Sequence, residues 1–277
     1  MSMKSHAYHI NDIFFSLEGM DIAQYDETFL INSANRRCVA TKCETIEDYL
    51  ELLENSELER MTFFDNLQIG YSSFFRNPLT FYTLEKVVLP DLITKIKNSK
   101  SKDLRIWSAA CASGQEAYSI AMLIEEEVSC NENEKCNCLI FATDKDEEQI
   151  EMAYRGQYAR HALDNISLKQ LDKWFIKYGN TFFVKPELKE KISFSVFDLF
   201  DRNYSSPPTS IFGHFDIVLC ANLLFYYKEN HRKIILEKIT GAMSENGYLV
   251  TGETERDILK KYHFREVYPH SAIFRRG

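Results

Sequence analysis

Glycine is scarce in this chain, ten residues of 277, and nowhere does it fall into a G-x-G-x-x-G spacing. That excludes the usual backbone cradle for a dinucleotide pyrophosphate. The seven cysteines are scattered, with no two C-x-x-C pairs and no partnering histidine spacing, so neither a disulfide framework nor a metal site is expected. The close pair Cys136 and Cys138 reads as an ordinary reduced loop-to-strand passage. Histidines are sparse, and no Ser-His-Asp or Cys-His arrangement stands out, which argues against hydrolysis through a covalent nucleophile. No apolar run approaches the ~20 residues that cross a bilayer, and the opening MSMKSHAYHINDIFF lacks the pattern of a secretory leader. A cytoplasmic protein without membrane insertion is expected.

Positive charge is also short, and unevenly so. Residues 1–70 carry five basic side chains (Lys4, Arg36, Arg37, Lys42, Arg60) against thirteen acidic ones, and the remainder carries 28 of each, so the net charge of −8 sits in the N-terminal quarter. Nucleic acid is therefore an unsuitable partner, since phosphate binding needs clustered Lys and Arg.

What is present falls into two grammars. Up to about Phe75 the apolar residues recur at three- and four-residue steps, as in IEDYLELLENSELERMTFF, which predicts a small helical domain over 1–76. PLTFYTLEKVVLPDLITKIKN predicts a connecting helix that Pro90 kinks, and the polar run Asn98 to Asp103 ends a linker over 77–103. From 104 to 277 short apolar runs alternate with amphipathic helices: LRIWSAA then QEAYSIAMLIEEEV, CLIFATD then DEEQIEMAYRG, FDIVLCA then NHRKIILEKITGAM, and YLVTG. This predicts an α/β fold, a parallel sheet covered on both faces, with ligands beyond the carboxyl ends of its strands. A small antiparallel β insertion is expected at about 167–191, and FREVYPHSAIFRRG predicts an edge hairpin.

The loop after the first strand, in WSAACASGQEAYS, has small side chains and one glycine, Gly114, so a backbone can approach a ligand closely there. Glu116 either closes a capping box with Ser113 or faces that ligand. Asp144, ending the second strand, either caps the following helix or holds ribose hydroxyls. A ribose-holding acid without a phosphate loop is the combination expected for S-adenosylmethionine.

Six stretches, SSFFRNP, IWSAACASGQEAYSIAMLIEE, FATDKDEEQIEMAYRGQY, ISFSVFDLF, FDIVLCANLLFYY and LVTGETE, together resemble the CheR family of chemotaxis receptor methyltransferases, in the family's order and over residues 72–255. The resemblance implies a Rossmann-like class I methyltransferase sheet that uses S-adenosyl-L-methionine, leaves S-adenosyl-L-homocysteine, and esterifies glutamates in a receptor's cytoplasmic region. It implies catalytic roles for Arg76 and Tyr226. It implies cofactor contacts from Ser72, Arg76, Ala110, Gly114, Glu116, Asp144, Asp198, Leu199 and Asn222. On their residue types alone, Tyr226 in LLFYY also suits core packing and Asn222 a turn. Three positions depart from the family pattern: Ala221 replaces an arginine, Ser72 a threonine, and the N-terminal segment is acidic where receptor-docking relatives are basic. A different acceptor, or a binding module without turnover, are the alternatives these departures raise.

Overall fold

The computed structural model describes residues 3–67, 70, 72–97, 103–129 and 137–277. Cys136 and most of the 98–103 run lie outside these residues. Two compact units divide the chain: Met1–Ile69 with Leu224–Lys233, and Gly70–Leu223 with Ile234–Gly277. Against the expected boundaries at 76 and 103, the segment from Gly70 onward groups with the sheet, and a ten-residue piece of the later chain groups with the N-terminal helices.

The N-terminal unit holds α1 (Met3–Glu18), α2 (Glu27–Thr41), α3 (Ile46–Asn55) and α4 (Glu57–Leu67). On α1 the buried Ala7, Ile10 and Phe14 follow the three- and four-residue steps of one helix face. Asp26 caps α2 by accepting from the Thr28 N–H, and Thr45 with Asp48 forms a full capping box on α3. Glu59 is buried but satisfied: Arg37 donates to both its oxygens at 2.8 and 2.7 Å, and the Tyr49 hydroxyl donates at 2.8 Å. The exposed acids of α3, by contrast, keep the unit's negative charge in solvent.

The second unit opens with α5 (Pro78–Thr83), a π-helical turn over Leu84–Val88, and α6 (Leu89–Lys97). The irregularity expected at Pro90 thus falls one turn earlier, where the Leu89 N–H reaches back five residues to the Leu84 carbonyl. The wider register relieves the clash a proline ring makes with the carbonyl four residues before it.

Then follow β1 (Asp103–Ala109), α7 (Gln115–Ser129), β2 (Asn137–Asp144), α8 (Glu147–Arg155), β3 (Gln157–Ala159), α9 (Leu168–Trp174), β4 (Phe175–Tyr178), β5 (Thr181–Val184), α10 (Pro186–Lys189), β6 (Ile192–Val196), β7 (Phe215–Leu219), α11 (Glu229–Ala242), β8 (Met243–Val250), α12 (Arg256–Lys261), β9 (Phe264–Glu266) and β10 (Ile273–Arg276). The main sheet runs β6-β2-β1-β7-β8-β10-β9. Its first five strands are parallel and β10 is antiparallel to both neighbours, so the C-terminal hairpin lies at the edge, as the sequence suggests. This is the α/β sheet that the strand–helix alternation predicts. The near-continuous apolar strands fit burial on both faces, and Trp107 at the centre of β1 is fully buried with its indole N–H on Thr143 Oγ1 at 2.9 Å.

The antiparallel insertion is a three-stranded sheet, β3-β5-β4, which starts at Gln157, ten residues before the expected 167. A cleft of about 440 Å³ lies in it, lined by Arg160, Leu171, Asp172, Phe175, Lys177, Asn180 and Phe182.

Candidate active site

Parallel pairing puts the carboxyl ends of β6, β2, β1, β7 and β8 on one edge, and nine of the ten candidate site residues belong to the unit that carries it. Ala110 directly follows β1, Asp144 ends β2, Asp198 and Leu199 follow β6, and Asn222 follows β7.

The loop after β1 turns sharply. Ala110, Ala112 and Gly114 all have left-handed φ, at 61°, 46° and 90°. Alanine tolerates such angles poorly, so the turn is held from outside. Asp144 does this: its Oδ2 accepts the Ala112 N–H at 2.9 Å and its Oδ1 the Asp146 N–H at 3.0 Å. Asp146, not Asp144, caps α8. Burial raises the Asp144 carboxyl above its ordinary range while the two N–H groups pull it back. Gly114 serves packing as well as the turn, because a Cβ there would stand 2.9 Å from the Ala153 Cβ on α8.

Glu116 does not close the Ser113 capping box. Its Oε1 accepts from Ser108 Oγ at 2.7 Å, while Ser113 Oγ donates to Gln115 Oε1. The carboxyl is half-buried and pushed up to about 7, first by burial and then by Glu255, with the Ser108 hydrogen bond and Arg76 acting the other way.

Arg76 follows two buried phenylalanines that fix its loop. The Phe74 ring packs edge-on to Tyr158 and Phe175, with centroids at 4.9 and 5.7 Å, and its carbonyl accepts from Asn165. Phe75 packs edge-on to Phe81 and takes a left-handed φ of 48°, its N–H donating to Ser119 Oγ at 3.0 Å. A bulky residue at that angle costs about 1–3 kcal/mol, which the packing and the hydrogen bond offset. Ser72 is half-buried in the same approach, four residues before Arg76.

Leu199 is buried, and exposed Asp198 closes an Asx turn onto the Phe200 N–H. Asn222 takes a left-handed φ of 61°, an angle asparagine accepts more readily than most residues. Tyr226 belongs to the other unit, where its carbonyl accepts the Asp26 N–H at 2.8 Å and its ring lies 4.8 Å from Phe29.

Sequence reasoning passed over Glu255, although LVTGETE contains it. It is fully buried, and its Oε2 accepts the N–H groups of Asn222 and Gly252.

Residues 71–271 match the family described as CheR methyltransferase, SAM binding domain. The chain belongs to the CheR methyltransferase family. It is a methyltransferase that uses S-adenosylmethionine. Among curated relatives, it is 30% identical over 238 residues to a chemotaxis protein methyltransferase of Listeria monocytogenes, covering 86% of this chain and 85% of that one. Chemotaxis protein methyltransferase 1 of Pseudomonas aeruginosa is 34% identical over 69% of this chain and 68% of its own. The Escherichia coli protein of that name is 26% identical over 91% of this chain and 84% of its own. The donor of this CheR relative bears an ammonium, a sulfonium, one carboxylate and no phosphate, and the edge suits it: carboxyl groups at Glu116 and Asp144, a guanidinium at Arg76, and no phosphate cradle. Among the described residues no helix is long and apolar enough to cross a membrane.

Proposed function

We propose that this CheR-family enzyme methylates glutamate side chains in the cytoplasmic region of a chemotaxis-type receptor. The observation that carries the reading is the placing of Arg76, Glu116, Asp144 and Asn222 in one sheet unit, in a chain whose relatives are named chemotaxis protein methyltransferases. When bound, S-adenosylmethionine supplies an electrophilic methyl group on a sulfonium. Asp144 is assigned to its ribose hydroxyls, and Glu116 to its positive charge. Ser72, Ala110, Gly114, Asp198, Leu199 and Asn222 complete the cofactor wall.

The acceptor needs no strong base. A glutamate with a reference pKa of about 4.3 is already ionised at neutral pH. The residues' task is alignment of the attacking oxygen with the methyl carbon and the sulfur. Arg76 is assigned to orienting the carboxylate. A tight grip would stabilise the ground state, because the charge that arginine meets disappears as the ester forms. For Tyr226 the family resemblance implies a hydrogen bond on the carboxylate or near the sulfonium.

Incubation with methyl-labelled cofactor and receptor cytoplasmic fragments should give base-labile methyl esters on glutamate. Label on some other substrate alone sinks the receptor assignment. The net −8 of the first 70 residues favours a second acceptor class, a protein with a basic docking surface. Methyl mapping after pull-down from lysate separates the two.

A further inference from the structure

Glutamate is almost never fully buried without a partner, and Glu255 has no exposed surface. It sits in the short turn Glu253–Glu255 after β8. One oxygen, Oε2, accepts the Asn222 N–H at 2.7 Å and the Gly252 N–H at 2.8 Å. Those donors follow β7 and β8, adjacent parallel strands, so a single carboxylate joins the two loops at the carboxyl edge. The fit is tight: a Cβ on Gly252 would stand 2.5 Å from Asn222 Nδ2 and 3.0 Å from Glu255 Oε2, so any larger residue would push these side chains aside.

The charge of Glu255 also reaches the candidate site. It opposes ionisation of Glu116, which Arg76 favours and the Ser108 hydroxyl supports. Burial first, and then the charges of Asp144 and Glu116 on Cys111 and of Glu255 and Glu116 on Cys220, hold both thiols well above their ordinary range, so at neutral pH they add no charge.

We propose that Glu255 is a positioning residue of the cofactor site: it clamps the loops after β7 and β8 and sets a second negative charge that acts on Glu116, so that it adds more to the affinity for the positively charged methyl donor than to that for its neutral product. S-adenosylmethionine carries one net positive charge and S-adenosylhomocysteine none, so a buried carboxylate discriminates between them without touching either. The proposal rests on the cofactor assignment above.

Calorimetry with both ligands tests it. In Glu255→Gln, which keeps the shape and drops the charge, affinity for the donor should fall about tenfold at pH 8 and for the product no more than about threefold. The pH midpoint for donor binding, expected near the Glu116 value, should move lower as the opposing charge goes. Glu255→Asp keeps the charge and loosens the clamp, so it should weaken both ligands while preserving their ratio. Equal weakening of both ligands by Glu255→Gln, with no movement of the midpoint, makes the residue merely structural and overturns the proposal. If Glu255→Gln does not fold, Glu255→Asp decides. Weakening of both ligands with an unchanged donor-to-product ratio and pH midpoint supports the proposal, and a change in either overturns it. Failure of the unaltered protein to bind either ligand instead defeats the cofactor reading itself.

Discussion

Two glutamates taken from solvent by opposite means separate the N-terminal unit from the sheet unit. Glu59 meets a bidentate arginine and a tyrosine hydroxyl, so its charge is neutralised where it stands. Glu116 has a serine hydroxyl, a like-charged neighbour in Glu255 and only the more general pull of Arg76, and its carboxyl is raised to about 7. The first arrangement needs nothing further and stabilises a fold. The second leaves a carboxyl whose charge is only partly met, the kind of group found where a protein binds rather than only packs.

The sharpest way to break this contrast is Arg37→Ala, which leaves Glu59 buried beside Tyr49 with no cation. Losing one partner of such a pair costs about 3 kcal/mol or more. Helical circular dichroism should show early melting. Both tryptophans, Trp107 and Trp174, lie in the sheet unit, so their fluorescence should keep its own transition. Equal shifts in the two signals would erase the distinction.

Next in size, Asp144→Ala removes the acceptor for the Ala112 and Asp146 N–H groups and the proposed ribose contact. About a hundredfold loss of S-adenosylhomocysteine affinity is expected, measured by calorimetry, each lost charge-assisted hydrogen bond being worth about 1.5–3 kcal/mol. An effect below threefold removes Asp144 from the site.

The positions of these residues were only partly legible. Strand–helix alternation shows because the periodicities of two and 3.6 are local, and it places Ala110, Asp144 and Asn222 at strand ends. β3 was invisible: its three residues have no period, and only pairing with β5 makes them a strand. The π turn at Leu84–Val88 likewise lies in a hydrogen-bond register that side-chain spacing does not record. Glu255 in a run of charged and small residues looks solvent-facing, and only the meeting of β7 and β8 buries it. The grouping of Leu224–Lys233, and with it Tyr226, with the first helices is a tertiary fact without a local signal.

Glu116 sharpens the comparison through pH. Its folded value of about 7 exceeds the unfolded value of about 4.3, so between them the folded state holds more protons. The Glu116 contribution to the stability of the cofactor-free protein should therefore be full below the unfolded value and be lost as pH rises towards 7, by on the order of 2 kcal/mol. Denaturant titrations followed by tryptophan fluorescence at pH 5, 6, 7 and 8 measure the slope. Glu116→Gln should flatten it, and an unchanged slope assigns it to another group.

The smallest effect belongs to the unit that needs no ligand. Thr45 accepts the Asp48 N–H at 3.1 Å, and Asp48 accepts in return from the Thr45 N–H at 2.9 Å, fixing the start of the acidic helix α3. Thr45→Ala should cost about 1 kcal/mol, seen as a lower helical melting temperature with cofactor affinity unchanged. Raised salt should recover part of that loss, because α3 and its flanks carry exposed Glu44, Glu47, Asp48, Glu51, Glu54 and Glu57, whose repulsion is screened beyond ~8 Å at physiological ionic strength. The same salt should weaken donor binding at the sheet edge, where charge attracts. Opposite signs in one titration are what the contrast between a unit that satisfies its charge and one that waits for it requires.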